Sequence, residues 1–276
     1  ITSLIAEHIS QPSQRQSRTA VATIASGGSY IQDVWPAIQT KEIYTRLHGY
    51  DFHLQRETLD ASLPIIWSKF LLILKLLDQG YELVLYTDAD AFISNPLIPI
   101  QTIQEQYPTG HIITSCDING VNIGNMIVRN TAEARKILED CLADRGFLHN
   151  PPWYEQAALR WQINNSKVAR QVISITPQKV MNSYIYNWSQ GDWILHLAGV
   201  YGPKLAVLLD ELVAACYRQK DLEDSRLLLE PFFAPYQPDP NAESHLIPRF
   251  NAECNDIYLE SNNLGSRKSV FIVNSN

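Results

Sequence analysis

The segment LVLYTDADAFISNP, residues 83–96, places two carboxylates, Asp88 and Asp90, directly after a run of apolar residues. If the chain stays extended beyond that run, residues i and i+2 project to the same side. Two carboxylates held side by side repel each other, and a divalent cation between them removes the repulsion. Oxygen ligands favour Mg²⁺, Ca²⁺ or Mn²⁺ over softer metals. The alternative is a turn in which both side chains accept hydrogen bonds from nearby backbone amides.

Two further residues could take part in the same chemistry. His196 ends the apolar segment WILHL, and an imidazole added to two carboxylates would shift the preference from Mg²⁺ toward Mn²⁺. The alternative is a structural histidine on a strand. Lys69 interrupts the apolar helical segment IIWSKFLLILKLL. Its ammonium group either reaches solvent along the protein surface or points into the same pocket as the two aspartates.

The segments that must position these residues alternate between strand and helix. TAVATIAS, YDFHLQ, ELVLYT, HIITSC, NIGNMIVRN, QVISIT and WILHLAG predict strands. Helices are predicted by YIQDVWPAIQTKEIYTRLHGY, LPIIWSKFLLILKLLDQGY, TAEARKILEDCLAD, WYEQAALRWQIN and PKLAVLLDELVAACYRQ. This order predicts an α/β fold with a mixed, largely parallel sheet flanked by helices. Ligands bind such sheets beyond the carboxyl ends of the strands, and Asp88 and Asp90 fall at one of those ends.

The chain of 276 residues is 45% hydrophobic and 18% charged, which suits one domain with appendages. We predict a loose N-terminal arm at residues 1–18, the main domain at 19–230, and a Pro-rich extension at 231–276 that wraps the domain. The formal net charge is −7 without a basic cluster, which argues against nucleic-acid binding. No apolar run is long enough for an integral membrane segment.

The cysteines are widely spaced and form no Cys-x-x-Cys pair, so reduced, mostly buried thiols are predicted, with two disulfides as the alternative. They are Cys116, Cys141, Cys216 and Cys254.

The order of the segments resembles that of glycosyltransferases with the GT-A fold, a Rossmann-like fold of nucleotide-diphospho-sugar transferases. The resemblance is greatest to the galactosyl and xylosyl transferases of the GMA12/MNN10 type. The matching pieces, within residues 20–205, are YTRLHGYDF, WSKFLLILKLL, LVLYTDADAFISNP, VNIGNMIVRN, YEQAALRW, VMNSYIYNW and GDWILHLAG. The resemblance implies a metal-dependent, retaining transfer of a sugar from a nucleoside-diphosphate sugar to a hydroxyl acceptor. A UDP-sugar is the favoured donor, and a glycan is one candidate acceptor.

The resemblance also implies roles for individual residues around the donor. Mn²⁺, with Mg²⁺ as the alternative, would be held against the donor pyrophosphate by Asp88, Asp90 and His196. The implied donor-binding residues are Ala25, Ser26, Gly27, Lys69, Asp88, Ala89, Gly199 and Lys204. The family often has a cysteine and a lysine shortly after its His-x-x-Gly segment. This chain has Val200 and Tyr201 there, so Lys204 either replaces the phosphate-binding lysine or simply opens the next helix.

On the sugar side, Asn122 and Gly124 match an Asn-x-Gly segment that the family places beside the transferred sugar and the acceptor. Gly124 is also compatible with a strand bulge. Gln156 would lie under the reactive face of the sugar, where its amide oxygen could favour an oxocarbenium-like transition state. Glu155 is an alternative nucleophile, because retaining glycosidases use a carboxylate at this place. For both residues the alternative is a solvated helix face.

Two other classes of protein would account for part of the same pattern. A phosphatase of the haloacid dehalogenase type also carries Asp-x-Asp after a strand, but it expects Thr or Val soon afterwards and a position near the N-terminus. A carbohydrate or nucleotide-sugar binder without turnover would suit the 6 Trp and 13 Tyr of the chain. Without a visible anchor, a cytoplasmic enzyme of bacterial or viral type is predicted, with a trimmed Golgi-lumenal ectodomain as the alternative.

Overall fold

The computed structural model describes residues 18–148, 154–189 and 191–217. The predicted N-terminal arm up to residue 17, the predicted extension at 231–276 and Cys254 lie outside the described residues. The proposed domain boundaries therefore stay predictions.

The described part of the chain contains eight strands and eight α-helices. The strands are β1 (Thr19–Ile24), β2 (Asp51–Gln55), β3 (Leu83–Thr87), β4 (Ala91–Ile93), β5 (Ile112–Asp117), β6 (Gly120–Arg129), β7 (Ile173–Thr176) and β8 (Ile194–His196). The helices are α1 (Gly28–His48), α2 (Ser68–Asp78), α3 (Ile100–Gln106), α4 (Ala132–Ala143), α5 (Tyr154–Asn165), α6 (Lys167–Val172), α7 (Gln178–Met181) and α8 (Pro203–Tyr217). Two 3₁₀ turns lie at Ile65–Trp67 and Arg145–Phe147.

Six strands form one sheet in the order β2-β1-β3-β6-β5-β7. Three neighbouring pairs, β1–β2, β1–β3 and β5–β7, are parallel. Strand β6 runs antiparallel to both of its neighbours, β3 and β5. The predicted α/β fold with a mixed, largely parallel sheet is therefore confirmed. Because β1 and β3 are parallel neighbours, the chain leaves both strands at the same edge of the sheet.

A separate two-stranded sheet lies beside that edge. Strand β4 begins one residue after Asp90 and pairs antiparallel with β8, so that Ala91 lies opposite His196. Both strands have only three residues, all buried. This small sheet brings together two parts of the chain that are more than a hundred residues apart.

The core explains why the sheet has its helices where they are. Alternate side chains of the central strands face opposite sides, as in any strand. Val84 and Tyr86 of β3 pack with helices α2, α4 and α5, whereas Leu83 and Leu85 pack with α1, α3 and the two-stranded sheet. Burying one such large apolar side chain contributes about 1.5–3 kcal/mol. Helix α1 also packs against α8.

Several short elements differ from the sequence-based expectations. Strand β4 and helices α3, α6 and α7 were not predicted, because each has only three to seven residues and carries no full hydrophobic period. Residues 171 and 172 of the predicted strand QVISIT belong to the end of α6.

Cys116, Cys141 and Cys216 are free thiols, the first two buried, which agrees with the prediction for these three residues. Among the described residues, no helix combines the length and apolarity that crossing a bilayer requires.

Candidate active site

The side chains of Asp88, Asp90 and His196 meet at the edge where β3 ends. One ligand atom from each residue lies within 4.8 Å of the other two. His196 Nε2 is 3.3 Å from Asp90 Oδ1 and 4.0 Å from Asp88 Oδ2. His196 is buried, whereas the Asp88 side chain is 30% exposed, so the cluster is open to solvent on the Asp88 side. The three residues predicted to share a metal are thus brought together.

A tight turn, rather than an extended chain, makes the two aspartates converge. Ala91 N donates a hydrogen bond to Asp88 O at 3.1 Å, which closes the turn. Asp88 N donates to Gly124 O at 2.7 Å and anchors the turn to β6. Leu197 N donates to Asp90 O at 3.1 Å and anchors it to the end of β8. The backbone therefore connects both aspartates to the segments that carry Gly124 and His196.

The charges of the cluster favour a cation between the carboxylates. Burial raises the pKa of the Asp90 carboxyl, but His196, a backbone hydrogen bond and Lys41 together outweigh burial and leave this pKa below its usual value. Burial likewise lowers the pKa of His196, but Asp90 and Asp88 outweigh it and the pKa is raised. The two aspartates thus favour the protonated form of His196, as they would favour any other positive charge at this place. Two carboxylates and one imidazole suit Mn²⁺ or Mg²⁺, so the residues present fit such an ion.

Asn182 fixes the orientation of the His196 ring. His196 Nδ1 lies 2.7 Å from Asn182 Oδ1, and Asn125 Nδ2 donates to the same oxygen at 3.0 Å. Because an amide oxygen only accepts, Nδ1 carries the proton and Nε2 faces the aspartates. Hydrogen bonds of this kind orient metal-binding histidines. Sequence reasoning missed Asn182, although it lies within the quoted segment VMNSYIYNW.

Gly124 supplies the space that the His196 ring occupies. A Cβ atom at this position would overlap His196 Cε1 and lie 2.9 Å from Nδ1. Gly124 also belongs to a bulge, since the register of β5 and β6 shifts so that Thr114 pairs with Met126 and Ser115 with Asn122. The two interpretations of Gly124, as a bulge and as a site residue, therefore describe the same feature.

Lys69 points into the site and not into solvent. Its side chain is 3% exposed, and Nζ lies 3.3 Å from Asp88 Oδ1 and 3.1 Å from Glu155 Oε1. Nζ also donates to Ile123 O at 3.3 Å. Burial lowers the pKa of Lys69, but the two carboxylates outweigh this and raise it. Lys69 is therefore a charged ammonium between the metal cluster and helix α5.

Glu155 and Gln156, at the start of α5, are not on a solvated helix face. They are 2% and 8% exposed. Burial raises the pKa of Glu155 despite the opposing effect of Lys69, and Glu155 Oε2 has no hydrogen-bond partner. Gln156 Oε1 accepts a hydrogen bond from Ile123 N at 3.1 Å, and its buried Nε2 has no partner. The predicted catalytic amide oxygen is thus bonded to β6, and the unused polar atoms are Glu155 Oε2 and Gln156 Nε2.

Asn122 is held by a network on the other side of His196. Its Nδ2 donates to Asp117 Oδ2 at 2.8 Å and to Tyr184 Oη at 3.0 Å, while its Oδ1 accepts from Gly124 N at 2.8 Å. The Tyr184 ring contacts the His196 ring edge-on, with centroids 5.9 Å apart. Asn122 thus shapes the bulge under His196, and its predicted contact with sugar or acceptor stays a prediction.

The other predicted donor-binding residues lie at the same edge of the fold. Ala25 is buried, whereas Ser26 and Gly27 are exposed after β1, and Gly27 has a φ of 90° that favours glycine. Ala89 is buried in the turn between the aspartates. Gly199, with a φ of 82°, and Lys204 are exposed on the segment that leads from β8 into α8.

Tyr30 and Tyr201 are further residues near the aspartates that sequence reasoning did not single out. Burial raises the pKa of the Tyr30 hydroxyl, and Asp90 and Asp88 raise it further. The exposed Tyr201 adds to this effect, so it too lies near Tyr30.

Lys41, in α1, is a third missed residue. It is 0% exposed, and Nζ donates to Ala91 O at 2.5 Å and to Ala89 O at 3.4 Å. Burial lowers the pKa of Lys41 to about 7, although Asp90 and Asp88 act in the opposite direction. In the sequence, Lys41 is marked only by its helical spacing, four residues after Ala37 and three before Tyr44. Both of these residues are buried in the structure.

Comparison with known proteins defines the class to which this fold and site belong. Residues 101–201 match the family model of the galactosyl transferase GMA12/MNN10 family. A solved structure, that of a glycosyltransferase involved in the glycosylation of the major capsid of PBCV-1, has the same fold, with a TM-score of 0.57 and 15% identity. That alignment covers 70% of this chain and 98% of the other. The chain is a glycosyltransferase with the GT-A fold.

Two relatives come from Schizosaccharomyces pombe. The "probable alpha-1,2-galactosyltransferase gmh1" is 20% identical over an alignment of length 241, and the match covers 71% of this chain and 72% of that protein. The "probable alpha-1,2-galactosyltransferase gmh2" is 23% identical over an alignment of length 212, and the match covers 60% of each chain. Within its class, this glycosyltransferase therefore resembles the GMA12/MNN10 family, as its motifs predicted.

Proposed function

We propose that this enzyme transfers a sugar from a nucleoside-diphosphate sugar to a hydroxyl group of an acceptor, with a divalent metal held by Asp88, Asp90 and His196. The observation that carries the proposal is the convergence of these three side chains at the edge of a GT-A sheet. Mn²⁺ is the first candidate and Mg²⁺ the second. When bound, the ion supplies Lewis-acid stabilisation of the diphosphate that leaves.

The residues of the chain prepare this site for an anionic ligand. Asp88 and Asp90 would hold the ion by carboxylate oxygens, and His196 would hold it by Nε2, which lies 3.3 Å from Asp90 Oδ1. Lys69 adds a buried positive charge 3.3 Å from Asp88. Ser26, Gly27, Gly199 and Lys204 are proposed to contact the nucleotide part of the donor from the two loops at the same edge.

For the transferred sugar, we propose a location at the buried residues Glu155 and Gln156 of α5, beside β6. Gln156 would lie under the reactive face of the sugar, and its free Nε2 would contact the donor while Oε1 stays bonded to Ile123 N. Glu155, whose Oε1 is bonded to Lys69, has one free oxygen for a sugar hydroxyl. Retention of the anomeric configuration, with Glu155 as the alternative nucleophile, belongs to this proposal.

The acceptor is proposed to be a glycan hydroxyl that approaches beside Asn122 and Gly124. The two S. pombe relatives, both named as probable α-1,2-galactosyltransferases, support a galactosyl donor as the first to be tested. UDP-glucose, UDP-xylose and a GDP-sugar complete the panel.

The decisive experiment measures nucleotide release and glycoside formation with this donor panel in Mn²⁺, in Mg²⁺ and in EDTA. We expect turnover that requires the metal and that disappears in Asp90→Ala and in His196→Ala. Asp78→Ala is the matched control, because this exposed aspartate pairs only with Arg135 in the described structure and lies outside the site. Circular dichroism verifies that each variant is folded.

Three outcomes would contradict the proposal. Full turnover in EDTA or in Asp90→Ala would exclude the metal site. Donor binding without turnover for every acceptor tested would indicate a binding protein. Cleavage of simple phosphate esters with Mg²⁺, and no use of sugar donors, would indicate a phosphatase.

A further inference from the structure

Helix α1 carries a lysine that no solvent reaches. Lys41 is 0% exposed, and its neighbours along the buried face of α1 include Ile38 and Tyr44. Removing an ammonium from water costs several kcal/mol even after the protein relaxes. A methionine of similar length would fill the same space without that cost. The stable burial of Lys41 therefore depends on what its ammonium contacts.

The contacts of Lys41 are two carbonyl oxygens on either side of one candidate metal ligand. Nζ lies 2.5 Å from Ala91 O and 3.4 Å from Ala89 O, the residues that flank Asp90. These bonds hold the Ala89–Asp90 peptide group and the Ala91–Phe92 peptide group, and so they restrict the backbone on both sides of Asp90 and the direction in which its carboxylate leaves the backbone.

The neighbouring residue of α1 makes a different contact with the same strand. Thr40 Oγ1 accepts a hydrogen bond from Ile93 N at 3.1 Å. Thr40 thus holds the end of β4, whereas Lys41 holds its beginning and the turn before it. Because Ala91 pairs with His196, a shift of Ala91 would also displace the third candidate ligand.

We propose that Lys41 is a positioning residue of the metal centre. It ties the Ala89 and Ala91 carbonyls to α1, and so aims the Asp90 carboxylate and aligns β4 with the strand that ends in His196. Lys41 itself touches neither the metal nor the substrate. This inference rests on the proposed function, because it assigns Lys41 a role in the metal site proposed above.

The test compares Mn²⁺ binding by the wild type, Lys41→Met and Lys41→Gln, each in the presence of UDP. Electron paramagnetic resonance of free Mn²⁺ gives the affinity without any need for turnover. Lys41→Met keeps the volume and loses both hydrogen bonds, so we expect Mn²⁺ affinity to fall by about 10-fold or more, as for other outer partners of metal ligands. Lys41→Gln keeps a neutral hydrogen-bond donor, so its Mn²⁺ affinity should lie between those of the wild type and Lys41→Met.

Turnover gives a second measurement. The KM for Mn²⁺ should rise in Lys41→Met in parallel with the loss of affinity, and saturating Mn²⁺ should restore most of kcat, because all three ligands are still present. A residue with only a structural role would lower the amount of active enzyme and leave the KM for Mn²⁺ unchanged.

Thr40→Val is the matched control, since it removes a hydrogen bond between the same helix and the same strand but not at the turn. We expect it to leave Mn²⁺ affinity near that of the wild type. An equal loss in Thr40→Val would indicate general loosening of the helix and would overturn the specific role of Lys41.

The remaining outcomes separate this inference from the proposed function. A wild type that binds no Mn²⁺ with UDP overturns the metal site itself and the role of Lys41 with it. If folded Lys41→Met binds Mn²⁺ with the same affinity as the wild type, the proposed role of Lys41 is overturned, but the metal site is not. If Lys41→Met does not fold, Lys41→Gln decides, and wild-type Mn²⁺ affinity in that variant overturns the inference.

Discussion

Gly124 lies directly against the imidazole of His196. A methyl group on Gly124 would overlap Cε1 and lie 2.9 Å from Nδ1, and the Gly124 carbonyl accepts a hydrogen bond from Asp88 N at 2.7 Å. One residue of β6 thus contacts the backbone of one candidate metal ligand and the ring of another. The Asn-x-Gly segment and the metal residues, which are far apart along the chain, form one packed unit.

The first prediction concerns this contact. Gly124→Ala should displace the His196 ring and weaken Mn²⁺ binding by about 10-fold or more, with an overpacking cost of about 1–3 kcal/mol in stability. Mn²⁺ titration and thermal unfolding measure the two effects. Gly146→Ala is the control, because its methyl group would meet only Asp144 Oδ1 at 3.0 Å, the end of a partly exposed side chain. Unchanged Mn²⁺ affinity in Gly124→Ala would show that the position of the His196 ring does not determine Mn²⁺ binding.

The second prediction concerns Asn182. Asn182→Leu removes the acceptor of His196 Nδ1, so the ring loses the hydrogen bond that directs Nε2 to the aspartates. Mn²⁺ affinity should fall by about 10–100-fold. Asn182→Asp keeps an acceptor oxygen and should retain metal binding. If both variants bind Mn²⁺ as the wild type does, the orientation of His196 does not depend on this residue.

The third prediction concerns the buried pair of Lys69 and Glu155, 3.1 Å apart. Lys69→Met leaves Glu155 as an uncompensated buried acid and should destabilise the protein by about 3–5 kcal/mol in urea denaturation. Adding Glu155→Gln to Lys69→Met should recover part of this loss. Arg135→Met, which breaks the exposed pair with Asp78, should cost about 1 kcal/mol or less. If the double variant Lys69→Met, Glu155→Gln is less stable than Lys69→Met, Lys69 does not stabilise the protein by compensating the charge of Glu155.

The fourth prediction is a pH dependence of stability. The pKa of Lys41 is lowered from 10.5 to about 7 in the folded protein. Between pH 7 and the unfolded pKa, Lys41 keeps its proton in the unfolded chain but loses it in the folded protein. The free energy of unfolding of the wild type should therefore rise with pH relative to that of Lys41→Met. The slope should approach about 1.4 kcal/mol per pH unit and disappear above the unfolded pKa.

Urea denaturation in EDTA at several values between pH 7 and pH 10 measures this difference. Lys75→Met, which removes an exposed lysine of α2, should leave the pH dependence unchanged. Parallel curves for the wild type and Lys41→Met would contradict the low pKa of Lys41.

The fifth prediction concerns Gln156. Gln156→Ala removes the side chain that lies against Ile123 N and should lower kcat more than it raises the Kd of the donor. Steady-state kinetics and donor titration separate the two quantities. Gln162→Ala, in the same helix but outside the buried start, is the control. An unchanged kcat in Gln156→Ala would remove this residue from the mechanism.

Residue type and spacing were sufficient to predict which residues form the candidate metal cluster. Asp88 and Asp90 stand out because charge follows an apolar strand, and Lys69 because it interrupts an apolar helix. The geometry that joins them was not accessible in the same way. The sequence suggested an extended chain through the two aspartates, whereas a turn closed by Ala91 N brings them together.

Lys41 and Asn182 were missed for a physical reason. Both are polar residues in segments with mixed burial, and only tertiary contacts determine that they face inward. Helix α1 has buried polar residues, such as Thr40 and Lys41, on the same side as buried apolar ones. Its sequence therefore shows no simple apolar stripe from which a buried lysine could be recognised.

The two-stranded sheet has a consequence for how the metal site forms. The six-stranded sheet is complete at Thr176, whereas β4 finds its only described strand partner at Ile194–His196. During synthesis the acidic turn therefore leaves the ribosome long before its imidazole. Until β8 arrives, the nascent domain carries two neighbouring carboxylates that no histidine balances, so the candidate metal cluster is complete only after the six-stranded sheet has been synthesised.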